Sequence, residues 1–364
     1  MSATAKLALP GERVVVAMSG GVDSSVAAAL LVERGCEVVG VTMHLAGDAS
    51  RCCSLDDADD ARRVAEKLGI RFYVANYTRQ FRSEVMEAFA DEYLAGRTPI
   101  PCVACNQRFK FRHLLDRARA LGASAVATGH YARVEQDPSS GRHRLRAAVD
   151  PAKDQSYFLF DLDQGQLAKA LFPLGAMRKD EVRAHARRLG LATAEKPESQ
   201  EICFVPDGDY ASVVEKLRPE ASARTGDIVD TSGRVLGRHR GVHRFTVGQR
   251  RGLGISAAER LFVVGLDAAA KRVVVGETAD LLARTATLKG VTWVAGAPPD
   301  DPIRVTVRVR YRHEGAAAEL KRTDASCAAV HFDQPVRAVA PGQAAVFYQG
   351  DVVLGGGWIA SSEQ

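Results

Sequence analysis

The sequence predicts an α/β fold built on a parallel sheet, followed by a small central β-rich domain and a C-terminal β-barrel. In the first half of the 364 residues, apolar strand-like runs alternate with helical segments, which is typical of right-handed βαβ units. From about residue 206 helical patterns become scarce, Gly and Arg become frequent, and short β-like runs dominate. We therefore expect three domains, at 1–205, 206–284 and 285–364.

Four strands and four helices are expected in the first half. The strands are predicted at 13–18, 37–43, 70–75 and 124–128, and the helices near 24–34, 55–69, 78–95 and 107–121. Ser54 is a suitable N-cap for the second helix and Gly69 a suitable end. Because ligands of parallel sheets bind at the carboxyl ends of the strands, Met43 and Gly129-His130 should lie near the end of the first strand.

The remaining elements follow in chain order. They are a hairpin at 132–137 and 142–148, helical segments near 154–170 and 178–189, and β-like runs at 226–236, 261–266 and 271–276. The block 285–364 contains successive strands separated by Gly, Pro and Asp turns. This last pattern predicts the barrel.

The composition limits the class of protein. It is 46% apolar and 26% charged, as expected for an ordinary globular protein. No apolar run approaches the length of a membrane span and no signal-peptide pattern is present, so we expect a cytoplasmic protein. Seven cysteines are an odd number in a long chain, which argues against a disulfide framework and for catalytic or metal-binding thiols.

Residues 17–25, which join the first strand to the first helix, form the most informative motif. They read Ala-Met-Ser-Gly-Gly-Val-Asp-Ser-Ser. Backbone N–H groups and the helix dipole at such a turn suit a phosphate, and Ser19 and Ser24 add hydroxyl donors. A Gly-Gly turn alone would predict only a strand–helix connection. The full string resembles the PP-loop of the ATP pyrophosphatase family, whose members split ATP into AMP and pyrophosphate to adenylate an oxygen of their substrate.

The segment from Cys102 to Asn106 places two thiols between a Pro-containing loop and a basic helical segment. Cys105 should lie near a helix N-terminus with Arg108, Lys110 and Arg112 nearby, a setting that lowers a thiol pKa and favours the thiolate. Half of a structural zinc site is the alternative, but no second C-x-x-C is present to complete one.

A second thiol segment runs from Lys196 to Phe204 and contains Cys203. A solitary cysteine is usually a small buried apolar residue, but the polar neighbours at 198–201 favour a loop here. Cys36 and Cys327 lie in apolar contexts and are expected to be packing residues. For the adjacent pair Cys52-Cys53 we favour no role.

Several motifs together resemble the tRNA-specific 2-thiouridylases, and the resemblance runs through the whole chain. The motifs are the PP-loop, Cys102-x-x-Cys105-Asn with a following Lys-Phe pair, Thr128-Gly-His-Tyr131, Lys153-Asp-Gln-Ser-Tyr157, Ser199-Gln-Glu-Ile-Cys203-Phe and Arg244-Phe-Thr-Val-Gly-Gln-Arg-Arg-Gly-Leu253-Gly254. The resemblance implies a PP-loop domain that adenylates O2 of a tRNA wobble uridine and replaces that oxygen with sulfur.

The resemblance also implies roles for individual residues. Cys203 would carry a persulfide, and Cys105 would be the nucleophile, either releasing sulfide or resolving the persulfide through a transient Cys105–Cys203 disulfide. The residues implied to bind ATP are Ala17, Met18, Ser19, Gly20, Gly21, Val22, Asp23, Ser24, Met43 and Gly129. Those implied to contact tRNA are Ile100, Pro101, Cys102, His130, Lys153, Asp154, Gln155, Arg310, Tyr311 and Gln343.

Cofactors and partners follow from the same resemblance. They are ATP with Mg²⁺, a tRNA of the Lys, Glu or Gln type, and a sulfur donor, either a cysteine desulfurase or a sulfur-relay protein. The chain departs from the family where many relatives have Asn-Pro-Asp, because it has Ile100-Pro101-Cys102. Cys102, Cys105 and Cys203 could therefore ligate a [4Fe–4S] cluster; the alternative is persulfide chemistry on Cys203 with no role for Cys102.

A basic run in the second half points to RNA. Between residues 234 and 260 there are seven arginines and one acidic residue. Such a run suits contact with a phosphate backbone, and Arg310 and Tyr311 could clamp a splayed nucleotide. The rival hypotheses are another PP-loop enzyme, such as an amidotransferase-type synthetase or a thiolase for a different tRNA position, and a non-catalytic RNA-binding protein.

Overall fold

A five-stranded parallel sheet forms the centre of the N-terminal part of the chain. The computed structural model describes residues 8–46, 55–197, 202–256, 259–294, 296 and 298–364. The strands of this part are β1 (Arg13–Ala17), β2 (Glu37–His44), β3 (Arg71–Asn76), β4 (Ala125–Thr128), β5 (Ala132–Gln136), β6 (His143–Ala147) and β7 (Ala170–Leu171). Five of them form the sheet, in the order β3-β2-β1-β4-β7. The predicted α/β class is thus confirmed.

The helices pack around this sheet and continue into the central part. They are α1 (Val22–Glu33), α2 (Leu55–Leu68), α3 (Thr78–Phe81), α4 (Glu87–Leu94), α5 (Pro101–Ala104), α6 (Leu114–Ala120), α7 (Gln164–Leu167), α8 (Lys179–Arg188) and α9 (Tyr210–Leu217). In the described ranges, no helix has the length and apolar character needed to cross a bilayer.

Two of the helical stretches contain π-helical segments. Arg82–Met86 joins α3 to α4, and Cys105–His113 joins α5 to α6. The predicted helix at 107–121 therefore begins earlier, at Pro101, because proline suits the first position of a helix. Cys102 and Cys105 consequently lie on the helix itself.

Both faces of the parallel sheet are buried. Along β1, Val15 packs into the core on one face, while Val14 and Val16 pack into the core on the other. β2 alternates in the same way, with Val39 on the first face and Val38 on the second. A strand covered on both sides reads as a continuous apolar run, which is the pattern that made these strands predictable.

The prediction of a helical segment near 154–170 is wrong at its C-terminal end. It contains a 3₁₀ turn at Ser156–Leu159 and the single-turn α7, and then β7, which is the fifth strand of the sheet. β7 is only two residues long and pairs with Val126 and Ala127 of β4. A run that short carries no periodicity from which a strand could be predicted.

The C-terminal part is a closed six-stranded barrel, as predicted. Its strands are β12 (Leu282–Thr292), β13 (Ile303–Arg308), β14 (Ala316–Asp324), β15 (Cys327–Arg337), β16 (Ala344–Gln349) and β17 (Val352–Glu363). They follow the order β12-β15-β14-β13-β16-β17, and pairing of β12 with β17 closes the barrel. The predicted hairpin β5–β6 extends this sheet, because β6 pairs with Val352 and Val353 of β17.

A smaller sheet lies between these two parts of the chain. It is formed by β8 (Gly226–Asp230), β9 (Val235–His239), β10 (Phe262–Asp267) and β11 (Arg272–Gly276), in the order β10-β11-β8-β9. The predicted β-rich character of the central part is confirmed. The helix α9, which precedes this sheet, was not predicted.

Candidate functional site

The turn between β1 and α1 is shaped by glycine. Gly20 has φ +70°, and a Cβ on it would lie 2.2 Å from the carbonyl oxygen of Asp57, so no other residue fits there. Gly21 is the N-cap of α1 and offers no side chain to the first helical N–H groups. These N–H groups therefore remain for a ligand at the positive end of the helix dipole.

Serine side chains hold the turn in place. Ser24 Oγ accepts a hydrogen bond from the backbone N–H of Ser19 at 3.1 Å and lies 3.3 Å from Ser19 Oγ. Ser25 Oγ donates to the carbonyl of Gly21 at 2.8 Å. The loop is thus fixed by its own hydroxyls in a shape suited to a phosphate group.

The ends of β2 and β4 meet this turn, as the parallel topology predicts. A Cβ on Gly129 would lie 2.6 Å from the backbone nitrogen of Ser24, so the glycine lets β4 end directly against the start of α1. Next to Met43 in β2, Thr42 donates to the carbonyl of Met18 at 2.6 Å. Met43 itself is buried in the core.

Asp23, in the first turn of α1, is held by two residues that sequence reasoning missed. Its Oδ1 accepts hydrogen bonds from the Tyr131 hydroxyl at 2.8 Å and from Lys179 Nζ at 2.7 Å. Lys179 stands 156 positions further along the chain, at the start of α8. No spacing rule links residues so far apart, so this pair cannot be predicted from the sequence.

Cys102 and Cys105 lie on consecutive turns of one helix. Both side chains are partly buried, and Cys105 packs against the larger core of the N-terminal part. The next residue, Asn106, donates from Nδ2 to the carbonyl of Phe158 at 3.2 Å. We call the continuous helical stretch 101–120 the thiol helix. The Asn106 bond ties it to the segment that follows the hairpin β5–β6.

Cys203 packs against the same core. Its neighbour Phe204 contacts the Phe81 ring, with centroids 5.7 Å apart, and Phe109 of the thiol helix contacts Phe81 at 5.3 Å. One aromatic cluster therefore joins the segments that carry Cys105 and Cys203. The side chains of Cys203 and Cys105 are both partly buried.

Part of the second thiol segment lies outside the described residues. These are residues 198–201, whose polar side chains favoured a loop. Ser54 and the pair Cys52-Cys53, which belong to a different part of the chain, also lie outside the described residues. Lys196, at the start of the segment, donates to Asp57 at 2.7 Å and to Asp60 at 2.6 Å. Burial alone would lower the Lys196 pKa, but these two carboxylates outweigh it and raise that pKa.

No metal centre is preformed in the described part of the chain. Among the His, Cys, Asp and Glu residues described, no three are grouped so that they could hold a metal ion. Cys102, Cys105 and Cys203 are all described, and they do not form such a group. Cys36 is buried, in line with the packing role expected for it, and Cys327 is partly buried.

His130, directly after Gly129, faces inward. Its side chain is only 7% exposed, and Nδ1 lies 2.7 Å from Thr128 Oγ1. Nε2 lies 3.4 Å from Lys110 Nζ. Burial, followed by the nearby Lys110 charge, holds the His130 pKa well below its usual value, so the imidazole is neutral at physiological pH.

The segment 153–155 joins the N-terminal part to the barrel. Lys153 is partly buried, and Gln155 Oε1 accepts from the Tyr131 N–H at 3.0 Å. Asp154 is buried, and its Oδ2 accepts from Arg308 of β13 at 2.6 Å. The Asp154 carboxylate therefore faces the barrel, a placement that sequence reasoning about tRNA contact did not anticipate.

The other residues implied to contact tRNA lie at this junction. Gln343 donates from Nε2 to the carbonyl of Thr98 at 2.9 Å, and so ties the barrel to the loop of partly buried Ile100 and buried Pro101. The Tyr311 ring contacts the Phe158 ring, with centroids 4.5 Å apart and planes tilted by 37°. Arg310 is exposed and donates to the carbonyl of Arg337 at 3.0 Å.

The arginines of the central part fall into two groups. Three form ion pairs with acidic neighbours, namely Arg234 with Asp230, Arg238 with Asp227 and Arg244 with Glu215. Four others are exposed and form no ion pair within the residues that the structure describes: Arg240, Arg250, Arg251 and Arg260. Only the second group has its full charge available to a polyanion.

Comparisons with known proteins match the whole chain. The tRNA methyl transferase HUP domain matches residues 12–207, the tRNA methyl transferase PRC-barrel domain 214–277, and the aminomethyltransferase beta-barrel domain 283–359. The tRNA-specific 2-thiouridylase MnmA of Solibacter usitatus is 52% identical over 96% of this chain and 100% of its own length. That of Geotalea uraniireducens is 54% identical over 96% and 95%. That of Rhodospirillum rubrum is 53% identical over 97% and 97%.

Similarity to solved structures is weaker. A 4-thiouridine synthetase in complex with RNA and ATP is 18% identical and covers 57% of this chain and 51% of its own, with a TM-score of 0.36. A similarity of that size supports no argument about the present chain.

Proposed function

This chain belongs to the tRNA-specific 2-thiouridylase family, and we propose that it uses ATP to replace O2 of the wobble uridine of tRNA with sulfur. The observation that supports this most strongly is that one domain contains both a site suited to the phosphates of ATP and two cysteines that could transfer sulfur. A turn suited to phosphate follows β1, and two cysteines on distant segments pack against one core beside it. ATP supplies the leaving group and the thiols supply the sulfur.

The first step is activation of the uridine. O2 attacks the α-phosphorus of ATP, so that an O2-adenylate forms and pyrophosphate leaves. We assign nucleotide binding to the turn from Ala17 to Ser24, to Met43 and to Gly129. Mg²⁺ is commonly bound through one or two carboxylates plus substrate phosphates, and Asp23 is the carboxylate at this turn that would hold it. Bound there, the ion would offset the charge of the pyrophosphate.

The second step transfers sulfur. The terminal sulfur of a Cys203 persulfide attacks C2 of the uridine, and AMP leaves with the former O2. The Cys105 thiolate then attacks the Cys203 sulfur, which releases 2-thiouridine and leaves a Cys105–Cys203 disulfide. In the alternative order, Cys105 first releases sulfide from the persulfide and the sulfide attacks C2. Both orders need a thiol reductant before the next turnover.

A [4Fe–4S] cluster is the alternative route for the sulfur, and no step is derived through it. The three thiols that would ligate it are not grouped as metal ligands among the described residues. We therefore propose the persulfide route. Anaerobically purified protein that thiolates tRNA without bound iron agrees with this route, whereas activity that depends on stoichiometric iron and sulfide contradicts it.

The partners follow from the reaction. We propose that tRNA of the Lys, Glu or Gln type is bound by the residues named above around Ile100, Lys153 and Arg310, with His130 and Gln343 at the junction. A cysteine desulfurase or sulfur-relay protein would load Cys203. We propose that the protein acts on tRNA in the cytoplasm.

The experiment compares Cys203→Ser and Cys105→Ser with the unchanged protein. Both variants should retain tRNA binding and the tRNA-dependent release of pyrophosphate, because neither thiol takes part in adenylation. Both should lose 2-thiouridine formation by at least about 100-fold. Full thiolation by Cys203→Ser would contradict the role assigned to that residue.

A further inference from the structure

Lys110 is a partly buried cation that has no acidic partner among the described residues. Its ammonium lies 3.4 Å from His130 Nε2. In the part of the chain that the structure describes, no carboxylate forms an ion pair with it. An ammonium taken partly out of water loses hydration, and a neutral imidazole offers an acceptor but no charge. A bound anion is therefore the natural counter-charge.

The state of His130 follows from its neighbours. Lys110 can only donate, so Nε2 of the neutral ring must accept from it. The ring proton is then on Nδ1 and is donated to Thr128 Oγ1 at 2.7 Å, a tautomer assigned from these partners. In this state both ring nitrogens of His130 are engaged, and Nε2 holds the ammonium of Lys110.

The position of Lys110 connects the two halves of the proposed site. His130 follows Gly129, which lies directly against Ser24 at the start of α1. Lys110 belongs to the π-helical segment that begins at Cys105. Hydrogen bonds of a π-helix join residues five apart, so Lys110 lies one turn beyond Cys105. Lys110 thus belongs to the thiol helix, and the residue that holds its ammonium stands next to the glycine that packs against the start of α1.

We propose that Lys110 binds the α-phosphate of the nucleotide, in ATP and in the O2-adenylate, and stabilises AMP as it leaves. His130 is a positioning residue that aims the ammonium. This assignment rests on the proposed function, because it requires that the chain activates its substrate with ATP. A charged donor to a phosphate oxygen makes a strong hydrogen bond, and its charge counts most where negative charge grows on the leaving group.

The test compares the binding of AMP and of adenosine, measured by calorimetry in EDTA so that no metal ion replaces the ammonium. Lys110→Met, which keeps the length of the side chain, should weaken AMP binding about tenfold or more and leave adenosine binding unchanged. Lys110→Arg should retain most of the AMP affinity. Arg117→Met removes an exposed positive charge from α6 of the same helix and should change neither affinity.

Other results would overturn the assignment. An AMP affinity of Lys110→Met within twofold of the unchanged protein would exclude the phosphate contact. Equal losses of AMP and adenosine, with a lowered Tm, would mean a structural role, and a loss of tRNA binding alone would place Lys110 against the RNA. If the unchanged protein binds AMP through Lys110 but makes no 2-thiouridine, the proposed function fails while the phosphate contact stands.

Discussion

Single residues define the nucleotide site mainly by what they lack. Gly20 and Gly129 leave room for backbone to pass within a distance that any Cβ would block. Each lets a separate segment, the start of α2 or the end of β4, reach the turn before α1. The shape of the phosphate site therefore depends on two missing side chains as much as on the serines that line it.

Gly129→Ala tests this dependence. The added methyl would lie 2.6 Å from the Ser24 nitrogen and 2.7 Å from the Asp23 carbonyl carbon, both backbone atoms that can move only if α1 shifts. We expect ATP affinity to fall at least about tenfold, measured by equilibrium dialysis. Gly265→Ala is the control, since its methyl would meet only Val274 at an ordinary 3.7 Å. Unchanged ATP affinity in Gly129→Ala would contradict the close approach.

Local sequence predicted the residues of the turn but not those that complete it. Ser19, Gly20 and Ser24 stand together in the chain, and their hydrogen bonds span five residues or fewer. Lys179 reaches Asp23 only after α8 has folded onto α1, so a single sequence contains no pattern that pairs them. The inward orientation of Asp154 likewise depends on Arg308, which a different strand supplies.

At the scale of elements, the hairpin β5–β6 links the parallel sheet to the barrel. Turn chemistry at 138–141 and alternating side chains made the hairpin itself predictable. Its pairing with β17 was not, because the partner strand lies about two hundred residues away in the chain. Asp351, in the turn before β17, secures the joint by accepting from Arg133 at 2.5 Å and from Arg146 at 2.7 Å.

Asp351→Asn tests this joint through its pH dependence. Burial alone would raise the Asp351 pKa, but hydrogen bonds from Arg146 and Arg133 outweigh it and lower that pKa. A lowered pKa means that the ion pairs stabilise the fold above the ordinary Asp pKa of about 3.9, and that this stabilisation is lost as the pH falls through the folded-state value.

At neutral pH, Asp351→Asn should lower the free energy of unfolding by up to about 1 kcal/mol, a small value because the carboxylate is partly exposed to screening water. The difference from the unchanged protein should shrink in acid, as followed by thermal unfolding between neutral pH and pH about 3. A difference that stays constant over this range would mean that the charge of Asp351 does not contribute.

At the scale of the whole molecule, we propose that the three parts of the chain offer different surfaces to one RNA. The N-terminal part carries the nucleotide turn and the thiols, and the barrel reaches the loop before the thiol helix through Gln343 and Thr98. The central part contributes exposed arginines that have no acidic partner among the residues that the structure describes. The basic run is visible in the sequence. Only the structure shows which of its arginines form ion pairs, because their partners Asp227, Asp230 and Glu215 come from other positions in the chain.

The double variant Arg250→Ala/Arg251→Ala should weaken tRNA binding and make it less dependent on salt. If each arginine contacts one phosphate, the slope of log K against log salt concentration should fall by about two. Arg234→Ala is the control, because its charge is already paired with Asp230 at 3.1 Å. The measurement is a filter-binding titration at several salt concentrations. Equal slopes for the double variant and the unchanged protein would place the RNA elsewhere.

The most direct test of the whole account is nucleoside mass spectrometry of tRNA incubated with the protein, ATP, Mg²⁺ and a sulfur source. The account predicts 2-thiouridine at the wobble position, formed with AMP and pyrophosphate in equal amounts and abolished when ATP is omitted or Cys203 is replaced by Ser. Tryptophan fluorescence or tRNA gel shifts would confirm that the Cys203→Ser protein is folded and binds its substrate. Absence of 2-thiouridine with the unchanged, loaded protein would contradict the central claim.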